Sequence, residues 1–227
     1  MEKENAMATL IIGGTRGLGF EIGVLLAKRG SRVFTTGRSQ RAIEGFTTVE
    51  LPVNEKVAEL QARLDTIVSE LPHIDLLVFA AGFGEQGTID ELSDEHVLAM
   101  INVGLVLPAL LLQRILKKQG GLKGLIAITS TSQWIPRKKE PVYTGVKAGL
   151  AMLANSVSLD SRVKKTLVVG PAGMDTGFWA GSGRDTAGML SPQFVAKEVF
   201  KLWNEKFVYR LARILRDPPR VEVLEAR

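Results

Sequence analysis

Along the chain, short and almost unbroken apolar runs alternate with longer stretches whose apolar residues recur every three or four positions. "ATLIIGG" is a run of the first kind and predicts a strand. "GFEIGVLLAKRG" behind it has helical spacing and closes on Gly30, a residue type suited to ending a helix. "SRVFTTG" and "TTVELPV" predict two further strands, and "RSQRAIEGF" between them is too short for a full crossover helix. "NEKVAELQARLDTIVSELP" predicts a helix with Asn54 as candidate N-cap, and "IDLLVFAAG" a strand. "SDEHVLAMINVGLVLPALLLQRILKKQG" predicts a long helix capped by Ser93 and kinked, or broken by an irregular turn, at Pro108. The strand "GLIAITS", the helix "PVYTGVKAGLAMLANSVSLDS" and the strand "KKTLVVGP" follow, then a glycine-rich loop over 173–191 and a helix over about 191–205. The tail predicts a short helix, with Arg210, Arg213 and Arg216 at helical spacing on a solvated face, and a last strand at Val221 to Leu224.

Strands that are apolar on both faces, each followed by a helix, indicate a parallel sheet covered on both sides. The expected class is therefore α/β, a single doubly wound sheet of about seven strands with helices on both faces. Ligands of such sheets bind at the carboxyl ends of the strands. No repeat or linker divides the chain, and 227 residues, 45% of them hydrophobic, suit one domain over 1–227.

Composition narrows the chemistry. There is no cysteine, so disulfides and thiolate chemistry are excluded and nothing argues for an oxidising compartment. "MEKENAMATL" is charged and lacks a signal-peptide core, and the longest apolar run, Val103 to Leu112, is too short to span a bilayer; the expectation is a soluble, cytoplasmic protein. The net charge of +5 is spread along the chain without aromatic interleaving, which fits an anionic small molecule better than nucleic acid. His73 and His96 are far apart, and no metal site is expected from them.

"IIGGTRGLG" ends the first strand and opens the first helix. Glycines there permit a tight turn and close approach of a pyrophosphate, and the helix N-terminus adds free N–H groups and partial positive charge; a ligand-free turn has the same composition. Gly13, Gly17 and Gly19 are spaced by three residues and then one, unlike the G-x-G-x-x-G fingerprint. In "YTGVK", Tyr143 and Lys147 share a helix face, as an ordinary surface pair would. Ser130 ends an apolar strand thirteen residues earlier, and Asn102 lies in "MINVGL".

Together these features resemble the short-chain dehydrogenase/reductase family, over Thr9 to about Leu202. The resemblance implies a Rossmann fold and a nicotinamide dinucleotide. It also implies a carbonyl/alcohol oxidoreductase whose catalytic residues are Asn102, Ser130, Tyr143 and Lys147. Cofactor contacts are implied at Gly13, Thr15, Arg16, Gly17, Leu18, Gly19, Arg38, Ala81, Gly82, Tyr143, Lys147, Pro171 and Thr176. Tyr143 would protonate the substrate oxygen, Ser130 would hold it, Lys147 would also bind the nicotinamide ribose, and Asn102 would anchor a water in a relay to Lys147. A free tyrosine has a pKa of ~10, and bringing it near 7 takes ~4 kcal/mol. A cation at ~4 Å and effective dielectric ~20 supplies about that, and Lys147 is the expected cation.

The chain departs from the family pattern in several places. Ile12 precedes Gly13 where the family has Thr, "FAAG" (Phe79 to Gly82) replaces Asn-Asn-Ala-Gly, Ala172 replaces a glycine, and Pro52 stands where an Asp contacts adenine. The second strand ends in "TTGRS" with no carboxylate for the adenosine ribose, and Arg38 follows. With Arg16 it is expected to face the extra phosphate of NADP. Trp134, Phe178 and Trp179 are expected to overhang a partly apolar carbonyl substrate, or else simply to pack their loops. The run Arg137 to Lys139 reads as a solvated face or as a docking patch for an acidic carrier or substrate. A homodimer or homotetramer is expected, through apolar faces around Leu105 to Leu112 and Leu150 to Leu159, which core burial would equally explain. A non-catalytic dinucleotide-binding regulator, or an epimerase or dehydratase of the same fold, remains an alternative at this point.

Overall fold

The computed structural model describes residues 6–38, 42–51, 53–54, 56–181 and 183–227. Their apolar runs form one sheet in the strand order β3-β2-β1-β4-β5-β6-β7-β8. The strands are β1 (Ala8–Ile12), β2 (Arg32–Gly37), β3 (Phe46–Glu50), β4 (Leu76–Phe79), β5 (Gly124–Ile128), β6 (Thr166–Pro171), β7 (Tyr209–Arg216) and β8 (Pro219–Ala226). The first seven run parallel, and β8 returns antiparallel to β7. The expected count was about seven; the eighth is β7, where a short helix was expected.

Alternate residues of each strand enter two cores. Leu10, Ile12, Leu77 and Leu125 pack with α2 (Val57–Glu70), α4 (Leu107–Gln119) and α5 (Pro141–Val157). Ile11, Val78, Ile126 and Val169 pack with α1 (Gly17–Ala27) and α6 (Pro192–Asn204) on the other face. Both faces are covered, which is why the strands read as continuous apolar runs. The fold is the doubly wound Rossmann architecture.

Three local expectations change. Asn54 does not cap α2: that helix starts after Lys56 with no side-chain cap, and Asn54 Oδ1 instead accepts a bond from Lys56 N (2.8 Å) in the turn before it. The tail forms no helix: Tyr209–Arg216 is a strand whose Tyr209 and Ala212 enter opposite cores. Consequently Arg210 is buried and paired with Glu205, and Arg213 pairs with Glu222 across the hairpin at 2.7 Å. Pro52 lies outside the described residues, as does part of "RSQRAIEGF".

The long helix runs from Asp94 to Gln119, with Ser93 accepting a capping bond from His96 N (3.2 Å). By length and composition it is apolar enough to cross a membrane, yet Met100, Leu107, Leu111, Leu112 and Ile115 are buried in the fold. It has three parts: α3 (Asp94–Ile101), a π-helical turn over Asn102–Val106, and α4 with Pro108 in its first turn. Pro108 has no N–H to give the preceding turn, and the irregular turn lies just before it. This turn presses on α5: a Cβ on Gly104 would overlap Val146 Cγ1, whereas one on Gly145 would meet nothing within 4 Å.

These two glycines predict opposite outcomes. Gly104→Ala should cost ~1–3 kcal/mol by overpacking, and Gly145→Ala on the exposed side of α5 should gain up to ~1 kcal/mol from helix propensity. Urea unfolding checks both, and equal effects would contradict this packing.

Candidate active site

One cleft of about 550 Å³ opens at the carboxyl end of the sheet. Its first wall is the turn between β1 and α1. Gly13 has φ +84°, and a Cβ there would stand 2.6 Å from Ala81 Cα, so only glycine lets the loop lie against the strand beside it. Its N–H is held by Thr36 Oγ1 at 3.2 Å. A Cβ on Gly19 would collide with the Gly13 carbonyl.

The N-terminus of α1 differs from those of α3 and α6, which are capped by Ser93 and Ser191. It begins after Arg16 with no side-chain cap and no acidic residue in its first turn. Its free N–H groups therefore face the cleft with partial positive charge, a suitable seat for a phosphate. Thr15, Arg16, Gly17, Leu18 and Gly19 all line the cleft, as do Arg38, Ala81, Gly82, Pro171 and Thr176. Arg16 and Arg38 form no ion pair among the described residues, and Arg16 Nη1 would lie 3.9 Å from a Cβ on Gly177. At the "FAAG" departure, Phe79 is buried in the core and Ala80 N bonds Ile12 O (2.9 Å).

The second wall brings together Ser130, Tyr143 and Lys147. Ser130 follows β5; its hydroxyl accepts from Ser132 N (3.1 Å) and donates to Ser132 Oγ (3.2 Å). α5 projects Tyr143 and Lys147 one turn apart. Lys147 is only 4% exposed, and its Nζ donates to Ile128 O at 3.2 Å. Gly82 makes room for it, since a Cβ there would stand 3.0 Å from that Nζ. Gly84 does the same for the rings of Tyr143 and Phe178, which sit 5.6 Å apart. Neither Gly84 nor Gly104 carries a motif that would single it out. Asn102, 2% exposed, does not line the cleft; its Nδ2 donates to Asn54 O at 2.8 Å.

Burial governs the titration of the pair. Desolvation pushes Tyr143 up to about 12; the Ser130 hydroxyl and Arg137 oppose this, and Glu140 adds to it. Desolvation also pulls Lys147 down to about 8. The expected lowering of Tyr143 by Lys147 is therefore corrected. The ammonium lies 5.7 Å from the tyrosine ring centre and turns to the Ile128 carbonyl, and loss of hydration dominates the tyrosine's titration.

The third wall is the loop after β6. Phe178 and Trp179 line the cleft in edge-to-face contact, with centres 4.8 Å apart. Trp134 does not. Its ring lies 2.6 Å from where a Gly170 Cβ would stand, filling space beside β6. The run Arg137 to Lys139 divides, with Arg137 lining the cleft and Lys138 and Lys139 exposed. Glu140, Arg184 and Met189 also line it. None of the three belongs to a periodic pattern or a motif.

A family profile described as short chain dehydrogenase matches residues 7–187. The chain belongs to this family. Among curated short-chain dehydrogenases, FrzI of a Cladobotryum species is 26% identical over 213 residues, covering 88% of this chain and 79% of that protein. The 3-oxoacyl-[acyl-carrier-protein] reductase MabA of Mycobacterium avium is 30% identical over 175 residues, covering 74% of this chain and 68% of that protein. Among solved structures, a short-chain dehydrogenase from Sphingobium yanoikuyae in complex with NADPH superposes with a TM-score of 0.76 at 18% identity, covering 90% of this chain and 87% of that one.

The buried ammonium of this short-chain dehydrogenase makes a stability prediction. Lys147 binds its proton more weakly folded than unfolded, so the unfolded chain holds more protons between about pH 8 and the ordinary lysine range, and stability rises with pH there. Tyr143 acts oppositely, lowering stability only above the ordinary tyrosine pKa. Lys147→Met should thus be more stable at pH 7 by ~1–3 kcal/mol and should lack the wild-type gain toward pH ~9.5. Urea unfolding at the two pH values checks it; a destabilised variant with the wild-type pH slope would contradict the assignment.

Proposed function

We propose that the protein is an NADPH-dependent carbonyl reductase, acting as one dinucleotide-binding unit. The observation that carries this reading is the convergence of Ser130, Tyr143 and Lys147 on the cleft that also exposes the uncapped N-terminus of α1. That N-terminus and the glycines before it fit a pyrophosphate, and the cleft continues from there to Tyr143. NADPH or NADP accompanies several proteins of similar fold, including the Sphingobium enzyme. Arg38 lines the cleft just past β2, where no carboxylate would repel a ribose phosphate.

When bound, the nicotinamide supplies the hydride that turns the carbonyl into an alkoxide. The chain's own residues manage the oxygen. Ser130 offers its hydroxyl to the substrate oxygen. With a pKa near 12, Tyr143 stays protonated at neutral pH and gives its proton to that oxygen as charge develops. The tyrosinate left behind is a stronger base than the Lys147 amine, whose ammonium titrates near 8, so Lys147 stabilises it and favours its reprotonation. Phe178 and Trp179 line the cleft, Phe178 against Tyr143, where they would shield this exchange from water.

Two measurements test the reading. Tyr143→Phe should retain the fold and NADPH binding while turnover with a carbonyl substrate falls at least ~100-fold; retention of more than about a tenth of turnover would remove Tyr143 as proton donor. The wild type should prefer NADPH to NADH by at least ~100-fold in kcat/KM, from charged hydrogen bonds of ~1.5–3 kcal/mol each. Arg38→Asp should abolish most of that preference, and equal use of both cofactors by the wild type would refute the phosphate assignment.

A further inference from the structure

The substrate half of the cleft has an unusual charge pattern for a wall otherwise made of Phe178, Trp179 and Met189. Glu140, the residue before α5 and three before Tyr143, has a side chain only 13% exposed. It stands between two guanidinium groups, 3.6 Å from Arg137 Nε and 3.7 Å from Arg184 Nη1. Both distances are ion-pair contacts and too long for hydrogen bonds. The carboxylate therefore offsets charge without taking up the donor fork of Arg137, whose Nε is buried and makes no hydrogen bond. Arg184 comes from the loop after β6 and stacks on Trp179, with 4.7 Å from its guanidinium carbon to the ring centre. The trio thus carries one net positive charge at the edge of an aromatic wall, close enough to the catalytic tyrosine for Glu140 and Arg137 both to act on its ionisation.

Taking the carbonyl-reductase reading as its basis, we propose that the substrate is an aromatic or otherwise apolar ketone or aldehyde bearing a carboxylate, which Arg137 reads with Arg184. A carboxylate gives the buried Arg137 Nε the charged acceptor it lacks, which an ester of the same skeleton supplies only weakly. A planar carboxylate also matches the paired donors of a guanidinium. The run of three basic residues is thereby divided in role, with Arg137 turned to the substrate and Lys138 and Lys139 left to solvent.

The test uses benzoylformate and benzoylpropionate, each beside its methyl ester, with NADPH oxidation followed for the wild type, Arg137→Met and Arg137→Lys. In parallel, benzoate is titrated calorimetrically into the NADP-loaded and the free protein. The wild type should favour acid over ester by at least ~tenfold in kcat/KM for one of the two skeletons. Arg137→Met should bring that ratio to within ~twofold, chiefly by raising KM for the acid, and Arg137→Lys should restore part of it. Benzoate should bind the wild type, more weakly at high salt, and should not bind Arg137→Met. Esters reduced as well as acids would overturn the proposal and leave the reductase reading standing. If no carbonyl is reduced, that reading fails, and the benzoate titration still decides the anion site: binding that depends on Arg137 supports it, and absence of binding overturns it. Unfolding midpoints of the variants separate loss of the site from loss of the fold.

Discussion

The site depends on keeping one ammonium group out of water. Lys147 Nζ is buried behind α5, with its hydrogen bond to the Ile128 carbonyl at the end of β5. Burying a charge is costly unless it is paired and bonded, and the fold is arranged around that cost. Gly82 has no Cβ where the ammonium passes, and Gly104 lets the π-helical turn close on Val146, the residue before it. The irregular turn in the long helix and the glycine after β4 thus belong to the same requirement, that α5 lie close over the carboxyl ends of β4 and β5. The hydrophobic cores on both faces of the sheet hold α5 there and offset the expense.

How much of this the sequence reveals depends on whether a signal is local. The parallel sheet is legible because both faces are buried, so each strand is one apolar run. The same burial hides β7, where Arg210, Arg213 and Arg216 imitate helical spacing. Only pairing with β6 and β8 makes it a strand, and pairing is not a local property. Tyr143 and Lys147 are legible because a four-residue spacing on a helix is local. Their titration is not, since Coulomb attraction follows from spacing whereas desolvation follows from packing, and here desolvation is the larger influence. Glu140 and Arg184 escape notice for a related reason: they reach the cleft only through the course of loops.

Electrostatically the cleft has two ends. At one, the N-terminus of α1 with Arg16 and Arg38 presents positive charge with no acidic residue in the helix's first turn. At the other, Arg137 and Arg184 surround a single carboxylate. Between them lies the neutral Tyr143 and the buried Lys147. On the proposed reading, charge at the ends would select and anchor the ligands, and the buried centre would leave proton transfer to Tyr143 and Lys147. The modest overall charge of the chain conceals this concentration of cations in one cleft.

The loop after β6 connects the two ends physically. Its stem is closed by the Met174–Leu190 bridge and by Thr186 Oγ1 donating to Asp175 Oδ1 at 2.6 Å. From that stem Thr176 reaches Gly17, where a Cβ would stand 3.6 Å from its methyl carbon. Phe178 then packs on Tyr143, and Trp179, anchored through Nε1 to Met174 O at 2.9 Å, carries Arg184 toward Glu140. One short segment therefore touches the glycine turn before α1, Tyr143 and the Arg137–Glu140–Arg184 cluster. A ligand that orders any of these contacts lowers the entropy cost of making the others. On the proposed reading, cofactor and substrate binding would be coupled through this loop.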